Sequence, residues 1–241
     1  MPWGIQRVRG PAAGPLLPPG THRRAALLAA GCVVVTAGLA VAFGHQARAD
    51  RLDAIVDARV QSALGGYQGP LHLLTRLGGL FSVAELTAAL VLACLVTRRW
   101  RGAVLAGLAV PAAVALTEFV LKPLVGRSIH GYPSFPSGHA TAMFALAATC
   151  AVLLANPPRP WLSRAVRMLL VAGSVLVAAA VPVAMVALGF HYFTDIVAGT
   201  AVGIGTVLLA ALLIDLAHPA PPAPRDTAAP DTAALSAGRL P

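Results

Sequence analysis

Two short polar motifs stand at the beginning of hydrophobic segments in this 241-residue chain. The first is Pro-Ser-Gly-His at residues 136–139, and the second runs from His191 to Asp195. Titratable side chains at the end of a membrane span are costly and are usually functional. A neutral imidazole beside a carboxylate can act as a nucleophile, and a second histidine can supply a proton. The motifs therefore predict nucleophilic and acid–base chemistry at one end of a set of helices.

His191 and Asp195 are four residues apart. One helical turn would place the carboxylate against the imidazole, which fixes the tautomer and raises the basicity of the other ring nitrogen. Thr194 is the expected N-cap of the helix that follows, and Asp195 lies in its first turn, where a carboxylate is favoured.

The 136–139 motif predicts an anion site. Ser137 is placed to cap the next helix, whose free backbone N–H groups and positive dipole end attract anions. Gly138 would let a ligand approach the backbone closely. Lys122, the single lysine of the chain, and Arg127 precede this motif and suit a phosphate group. Taken alone, the two residues would favour a different role, as basic side chains that anchor a helix end at the membrane interface.

The elements that hold these motifs are hydrophobic helices. The chain is 57% hydrophobic and only 11% charged, which excludes an ordinary soluble globule. Apolar runs of about 20 residues span a bilayer. The sequence therefore predicts an all-α membrane protein with one bundle of six transmembrane helices, at about residues 25–44, 77–97, 102–121, 139–154, 168–188 and 195–213.

The domain prediction is one membrane domain, residues 23–216, between two tails. Residues 1–22 and 217–241 are rich in Pro, Gly and Ala and lack periodicity, so we expect both to be disordered. The first apolar run resembles a secretory signal, but it is longer than a signal core and five more spans follow, which favours a membrane helix.

Arginine clusters set the predicted orientation. They precede the first span, follow the second and join the fourth to the fifth, so all three lie on one side if both termini are cytoplasmic. The polar motifs then lie on the extracytoplasmic face of the cell membrane. The net charge of +9 is mainly a signal of this topology, and no nucleic-acid partner is expected.

Two further expectations concern acidic residues. Glu85 and Glu118 lie within spans and are expected to face protein rather than lipid. Between the first two spans, residues 52–64 carry apolar side chains at helical spacing with aspartates on the other faces, which predicts an amphipathic helix at the outer interface. An ordinary loop helix packed on the spans fits this pattern equally well.

The motifs resemble a known family. Lys122 and Arg127, then residues 136–139, then His191 and Asp195, resemble in order and spacing the three signature motifs of the type 2 phosphatidic acid phosphatase superfamily. These are membrane relatives of vanadium haloperoxidases and bacterial acid phosphatases. The resemblance covers about residues 117–205. It implies a six-helix bundle and a phosphohydrolase that needs no metal or other cofactor and works through a phosphohistidine.

The resemblance also implies a role for each residue. His191 would be the nucleophile, Asp195 its orienting partner and His139 the general acid. Lys122, Ser137 and the Gly138 amide would hold the phosphate oxygens. Arg127 matches an upstream arginine of the first motif and would join this phosphate-binding set.

Two arginines of the family pattern are missing. The first motif usually ends in Arg-Pro where this chain has Ile129 and His130, and the third usually begins with Ser-Arg where it has Ala184 and Met185. Losing a charged contact to a transferring phosphoryl group typically costs about 10²–10³ in rate. A protonated His130 would replace one of these contacts.

Several alternatives remain open at this stage. A metal site on His139, His191 and Asp195 is disfavoured because no metal-ligand spacing accompanies them. A non-catalytic protein that binds lipid phosphates or partners is compatible with the missing arginines, and a transporter or channel on the same bundle is a third possibility. Phosphatidate, phosphatidylglycerol phosphate and polyprenyl mono- or diphosphate all fit as substrates, and the reduced cationic content favours a monophosphate over a diphosphate. The glycines at 199, 203 and 205 fit packing within the bundle or between chains, so no oligomeric state is predicted.

Overall fold

The structure, a computed structural model, describes residues 14–157 and 162–218. Within these ranges the chain is almost entirely helical. The α-helices are α1 (His22–Phe43), α2 (Arg51–Leu64), α3 (Gln68–Leu77), α4 (Leu80–Val96), α5 (Trp100–Ala115), α6 (Lys122–Val125), α7 (Gly138–Ala155), α8 (Arg164–Ala187) and α9 (Phe193–Ala217). A π-helical segment, Leu116–Leu121, joins α5 to α6, and strands β1 (Ser128–Ile129) and β2 (Tyr132–Pro133) form a short antiparallel hairpin.

Hydrophobic helices account for the predicted spans. Five in the described part of the chain are long and apolar enough to cross a membrane: α1, the continuous helix Trp100–Val125, α7, α8 and α9. Helices α3 and α4 together form a sixth candidate that bends by 47° between Leu77 and Leu80. The predicted all-α bundle of membrane helices is confirmed.

Helix α9 lies at the centre of the bundle and packs against α1, α5 and α7. Gly199 and Gly203, one turn apart, both face the backbone of α7. A methyl group on Gly203 would overlap the Thr141 carbonyl oxygen and lie 2.9 Å from Ala145 N. These glycines therefore bring the two helices into close contact within the bundle.

The two acidic residues in the spans differ in their surroundings. Glu118 is half-buried and forms an ion pair with Lys122. Glu85 is exposed, so the prediction that it faces protein was wrong. The buried side of α4 carries Val83 and Thr87, and Glu85 lies midway between them in sequence, on the opposite face of the helix.

Helix α2 turns its acidic side toward the protein. Asp53 is fully buried and Asp57 is 7% exposed, whereas Leu52 and Ile55 are about half exposed. Asp57 Oδ1 accepts a hydrogen bond from Phe193 N at 3.1 Å. Leu52 and Ile55 are left free for the membrane interface, whereas Val60 and Leu64 pack on the buried core. The aspartates reach the beginning of α9.

Part of the predicted N-terminal tail is packed. Leu16 and Leu17 are buried, and their backbone N–H groups donate to the Asp215 carboxylate at 2.8 and 2.9 Å. A carboxylate near the end of α9 thus ties this segment to the bundle, which the tail composition did not predict. The rest of the two predicted disordered tails, residues 1–13 and 219–241, lies outside the described residues.

Gly203→Ala should destabilise the bundle, since its methyl group forces α7 and α9 apart. We expect a loss of about 1–3 kcal/mol, the usual cost of overpacking. Thermal unfolding in detergent checks this. Gly173→Ala on α8 is the matched control, because a methyl group there meets nothing within 4 Å. Equal melting temperatures for Gly203→Ala and the parent would contradict the close helix contact.

Asp57 should make stability depend on pH. Burial raises the pKa of its carboxyl to about 6, and the nearby charge of Asp53 adds to the rise. The folded protein then keeps the Asp57 proton that the unfolded chain releases near pH 4, so stability falls as pH rises from about 4 to 6. Asp57→Asn should remove this fall and raise the melting temperature at pH 7.5, with no gain at pH 3.5. A gain of equal size at both pH values would show a cause other than this proton.

Candidate active site

Helix α7 begins at the predicted anion site. Ser137 is its N-cap, as predicted, and its hydroxyl oxygen accepts a hydrogen bond from Ala140 N at 3.4 Å. Ser137 N donates to the backbone carbonyl of Asp195 at 3.0 Å. That hydrogen bond joins the first turns of α7 and α9, and so brings His139 and the His191–Asp195 motif to the same end of the bundle.

Helix α9 begins differently from the prediction. Its N-cap is Tyr192, and Asp195 Oδ2 accepts a hydrogen bond from Tyr192 N at 3.1 Å. The predicted cap, Thr194, lies inside the helix, and its own N–H donates to Asp53 of α2 at 2.9 Å. The sequence could not show this, because the capping carboxylates come from a distant helix.

His191 faces Asp195 as the four-residue spacing predicted. His191 Nδ1 lies 3.6 Å from Asp195 Oδ2, longer than a hydrogen bond. Within residues 14–157 and 162–218, this buried ring nitrogen has no hydrogen-bond partner. Catalytic hydrogen bonds are often long before substrate binds, so the geometry is compatible with a pair that tightens on binding.

Arg127 is fully buried and binds two carboxylates. Its Nη1 donates to Asp195 Oδ1 at 2.7 Å and to Thr194 Oγ1 at 2.6 Å, and its Nη2 donates to Asp53 Oδ2 at 2.5 Å. The guanidinium carbon also lies over the rings of Phe43 and Tyr192, 4.6 and 4.4 Å from their centroids. With both terminal nitrogens occupied, Arg127 is not placed where the sequence put it, among the phosphate-binding residues.

Lys122 is the first residue of α6, and its side chain lies beside the start of α7 with an acidic partner. Its Nζ is 2.8 Å from both carboxylate oxygens of Glu118, four residues earlier. A methyl group on Gly138 would overlap Glu118 Oε1 and lie 3.9 Å from Lys122 Nζ. The Glu118 carboxylate therefore lies against the first residue of α7, where the sequence predicted an anion.

His139 lies between these groups. Its ring packs on the turn between α3 and α4, since a methyl group on Gly78 would come within 2.7 Å of His139 Cδ2. His191, Lys122 and Glu118 are all close enough for their charges to act on the His139 imidazole. The structure thus brings together four of the predicted residues: His139, His191, Lys122 and Gly138.

A cavity of about 500 Å³ opens beside His191. Its lining includes Asp57, Ile129 and His130. His130 has a φ of +51° in the turn of the hairpin, and it lines the cavity together with Ile129 of β1. The space beside His191 is therefore bordered by Ile129, where the family pattern has its first missing arginine, and by His130, the suggested substitute. Met185, where the pattern has the second missing arginine, is buried in α8.

Metal ligands are not grouped in the described ranges: no cluster of three or more His, Cys, Asp or Glu side chains is arranged to hold an ion. The side chains that meet at the site offer imidazole nucleophile and proton-donor chemistry beside one ammonium group and a helix N-terminus.

The sequence analysis did not identify Asp53 and Asp57 as site residues. It named Glu118 only as an acid within a membrane span. Asp53 and Asp57 are four residues apart, and so share one face of α2. Two acids on one face of α2 are the signal in the sequence, and the amphipathic pattern places them only on the side away from the apolar residues.

Comparison with known proteins agrees with this geometry. Residues 121–218 match the family model of the PAP2 superfamily. In fold, the chain is similar to a crystal structure of a transmembrane PAP2 type phosphatidylglycerolphosphate phosphatase from Bacillus subtilis, with a TM-score of 0.61 and 19% sequence identity over 76% of this chain and 93% of that one. No curated protein matches the chain by sequence.

The match contains Lys122 and both histidine motifs, and the structural similarity extends to the preceding membrane helices. PAP2 proteins are phosphatases, and this agrees with two histidines that meet beside a lysine and a capped helix. The described chain is therefore an integral membrane protein with the fold of a transmembrane PAP2 type phosphatase, and its segment 121–218 carries the match to the PAP2 superfamily model.

Proposed function

We propose that this protein hydrolyses a lipid phosphate through a phosphohistidine formed on His191. The observation that carries the proposal is that the hydrogen bond from Ser137 N to the Asp195 carbonyl joins the first turns of α7 and α9, which bear the two histidine motifs, with Lys122 Nζ beside Gly138. A phosphoryl group at this point would have a nucleophile on one side, a proton donor on the other and positive groups around its equatorial oxygens.

The proposed reaction has two steps. His191 Nε2 attacks phosphorus while Asp195 holds the Nδ1–H, and His139 protonates the alcohol or phosphate oxygen as the P–O bond breaks. His139 then takes a proton from water, which attacks the phosphohistidine and releases inorganic phosphate. Neither step uses a metal ion, so the activity should survive chelation.

The phosphate-binding residues of the proposal are Lys122, the Gly138 amide, Ser137 and His130. The Ser137 hydroxyl accepts a hydrogen bond from Ala140, and its own proton remains available for a phosphate oxygen. His130 borders the same cavity as His191, where a protonated imidazole would partly replace the missing arginine. Arg127 leaves this set, because its guanidinium is already bound by two carboxylates.

A lipid substrate is favoured by an apolar groove of about 710 Å³ between α4 and the helix formed by α5 and the π-helical segment. At one end its lining reaches Leu80, two residues from the Gly78 that packs on His139, and Phe119, which is next to Glu118. A hydrocarbon tail in this groove would leave its phosphate near the histidines. Phosphatidate, phosphatidylglycerol phosphate and polyprenyl mono- or diphosphate all have such a tail.

The distribution of arginine supports an extracytoplasmic site. Arg167 donates to the carbonyl of Leu154 and Gly102 packs on Leu153, so Arg101 and Arg167 lie at the C-terminal end of α7, opposite His139. Basic residues collect on the cytoplasmic side of membrane proteins. Both termini would then be cytoplasmic, in the plasma membrane, with the site on the outer face.

His191→Ala should abolish phosphate release. We would measure release by the detergent-purified protein, with EDTA present, from phosphatidate, phosphatidylglycerol phosphate and polyprenyl mono- and diphosphates. Loss of the nucleophile should lower kcat at least about a thousandfold. His218→Ala, at the far end of α9, is the matched histidine control and should keep the parent rate.

The same assay separates the alternatives. Release that needs added divalent metal would contradict the proposed mechanism. If the folded parent protein binds these lipids but releases no phosphate from any of them, then the two missing arginines are decisive and lipid-phosphate binding is the function.

Glu118→Gln should improve substrate binding. The Glu118 carboxylate binds the Lys122 ammonium group and lies against Gly138. A phosphate group must displace this carboxylate in order to bind there. Removing one charge of a partly buried ion pair frees about 1 kcal/mol for the competing anion, so KM should fall about threefold to tenfold. The inhibition constant of inorganic phosphate should fall in parallel. A higher KM for this variant would show instead that Glu118 holds Lys122 in its active position.

A further inference from the structure

Helix α2 contributes a buried carboxylate to the site from outside the family domain. Asp53 is completely buried and about 70 residues before the matched segment, 121–218. Its Oδ1 accepts from Thr194 N at 2.9 Å, and its Oδ2 accepts from Thr194 Oγ1 at 2.9 Å and from Arg127 Nη2. A single side chain of α2 thus fixes both the first turn of α9 and the buried arginine.

Arg127 connects this carboxylate to the proposed catalytic pair. One of its terminal nitrogens binds Asp53, and the other binds Asp195 Oδ1. The second oxygen of Asp195 faces His191. Asp53, Arg127, Asp195 and His191 therefore form one continuous chain of charged or polar contacts, buried from end to end.

The charges in this chain do not cancel pairwise. If Asp195 were the only partner of Arg127, the guanidinium would neutralise it, and the carboxylate would do little for the imidazole. With Asp53 as a second partner, two negative charges share one positive charge, and the group keeps a net charge of about −1 beside His191. A negative neighbour makes an imidazole a stronger base and a better nucleophile.

We propose that Asp53 is a positioning residue for the reaction: by sharing Arg127 with Asp195, it leaves Asp195 free to orient and activate His191. The inference rests on the proposed function, in which His191 attacks phosphorus. Asp53 does not contact substrate. It acts through Arg127 and through the first turn of α9.

A purely structural role for Asp53 makes different predictions. In that case, replacing Asp53 would lower the stability and the expression of the protein. Fewer molecules would be active, but those that fold would keep the parent kcat. Asp215 provides the comparison, because it is also a buried aspartate of the bundle, accepts two backbone N–H groups, and lies at the opposite end of α9 from Asp195.

The first test compares Asp53→Asn with Asp215→Asn in the full-length protein in detergent. Among molecules that elute as folded protein, Asp53→Asn should lower kcat about tenfold to a hundredfold with KM within about threefold of the parent. Asp215→Asn should lower the melting temperature but keep kcat. A folded Asp53→Asn variant with the parent kcat would overturn the proposal and leave the proposed function intact.

The second test removes both charges. In Asp53→Asn with Arg127→Gln, Asp195 no longer has to neutralise a guanidinium, so part of the kcat lost in Asp53→Asn should return. Simple structural damage would instead be additive or worse. A double variant that folds but is less active than both single variants would contradict the charge-sharing account.

The third test does not need catalysis. Diethyl pyrocarbonate acylates nucleophilic imidazoles, and peptide mass spectrometry reports the rate at each histidine. At a fixed pH of 8, modification of His191 should slow at least threefold in Asp53→Asn, while His218 keeps its parent rate. The other titratable groups near His191 are Asp57 on α2, His130 in the hairpin, Tyr192 and Asp195 at α9, His139 on α7 and the pair Glu118–Lys122.

The modification rate also distinguishes the two proposals. If the parent protein releases no phosphate, the proposed enzymatic function fails, and the rate at His191 alone decides the role of Asp53. An equal rate in the parent and in Asp53→Asn would then refute it. A slower rate at His191 alone would show that Asp53 activates this histidine, whatever the protein does with it.

Discussion

A guanidinium buried in a membrane protein is the constraint on which the site depends. Removing a charged group from water costs several kcal/mol unless its partners are well placed. Arg127 has such partners: two carboxylates, a threonine hydroxyl and two aromatic rings. Taking away Asp53 would remove the hydrogen-bond partner of Nη2 of this buried guanidinium. The loop after α6, helix α2 and the beginning of α9 are therefore held in one relative position by a single residue.

This constraint explains the orientation of α2. An amphipathic helix on a soluble protein buries its apolar side, but the neighbour of α2 is the beginning of α9, with unpaired N–H groups and a positive dipole end. Carboxylates are the suitable partners there, and Asp53 and Asp57 provide them. Leu52 and Ile55 can stay exposed because the surroundings outside are apolar. The membrane thus allows a helix to present its charged side to the protein.

The sequence was sufficient for features that depend on neighbouring residues. Span positions follow from hydropathy over about 20 residues, and the Ser137 cap follows from its place just before a hydrophobic run. The environment of Arg127 could not be predicted in this way, because its partners are 68 and 74 residues away in the chain. The prediction of the N-cap of α9 was wrong for the same reason. Thr194 looked like a local cap, but carboxylates from a different helix had taken that role.

The same geometry changes the meaning of the two missing arginines. The sequence analysis placed Arg127 among the phosphate-binding residues, but its guanidinium is bound by Asp53 and Asp195. The positive charge left for a phosphate is Lys122, the start of α7 and any proton on His130 or His139, and Lys122 is already neutralised by Glu118. Ground-state binding of a dianion should therefore be weak, while the histidines proposed to move protons and attack phosphorus are present. Such a site gains little by holding a soluble phosphate ester. It suits a substrate whose affinity comes from elsewhere, and a hydrocarbon tail partitioned into the bilayer beside the groove of α4 and α5 would supply it.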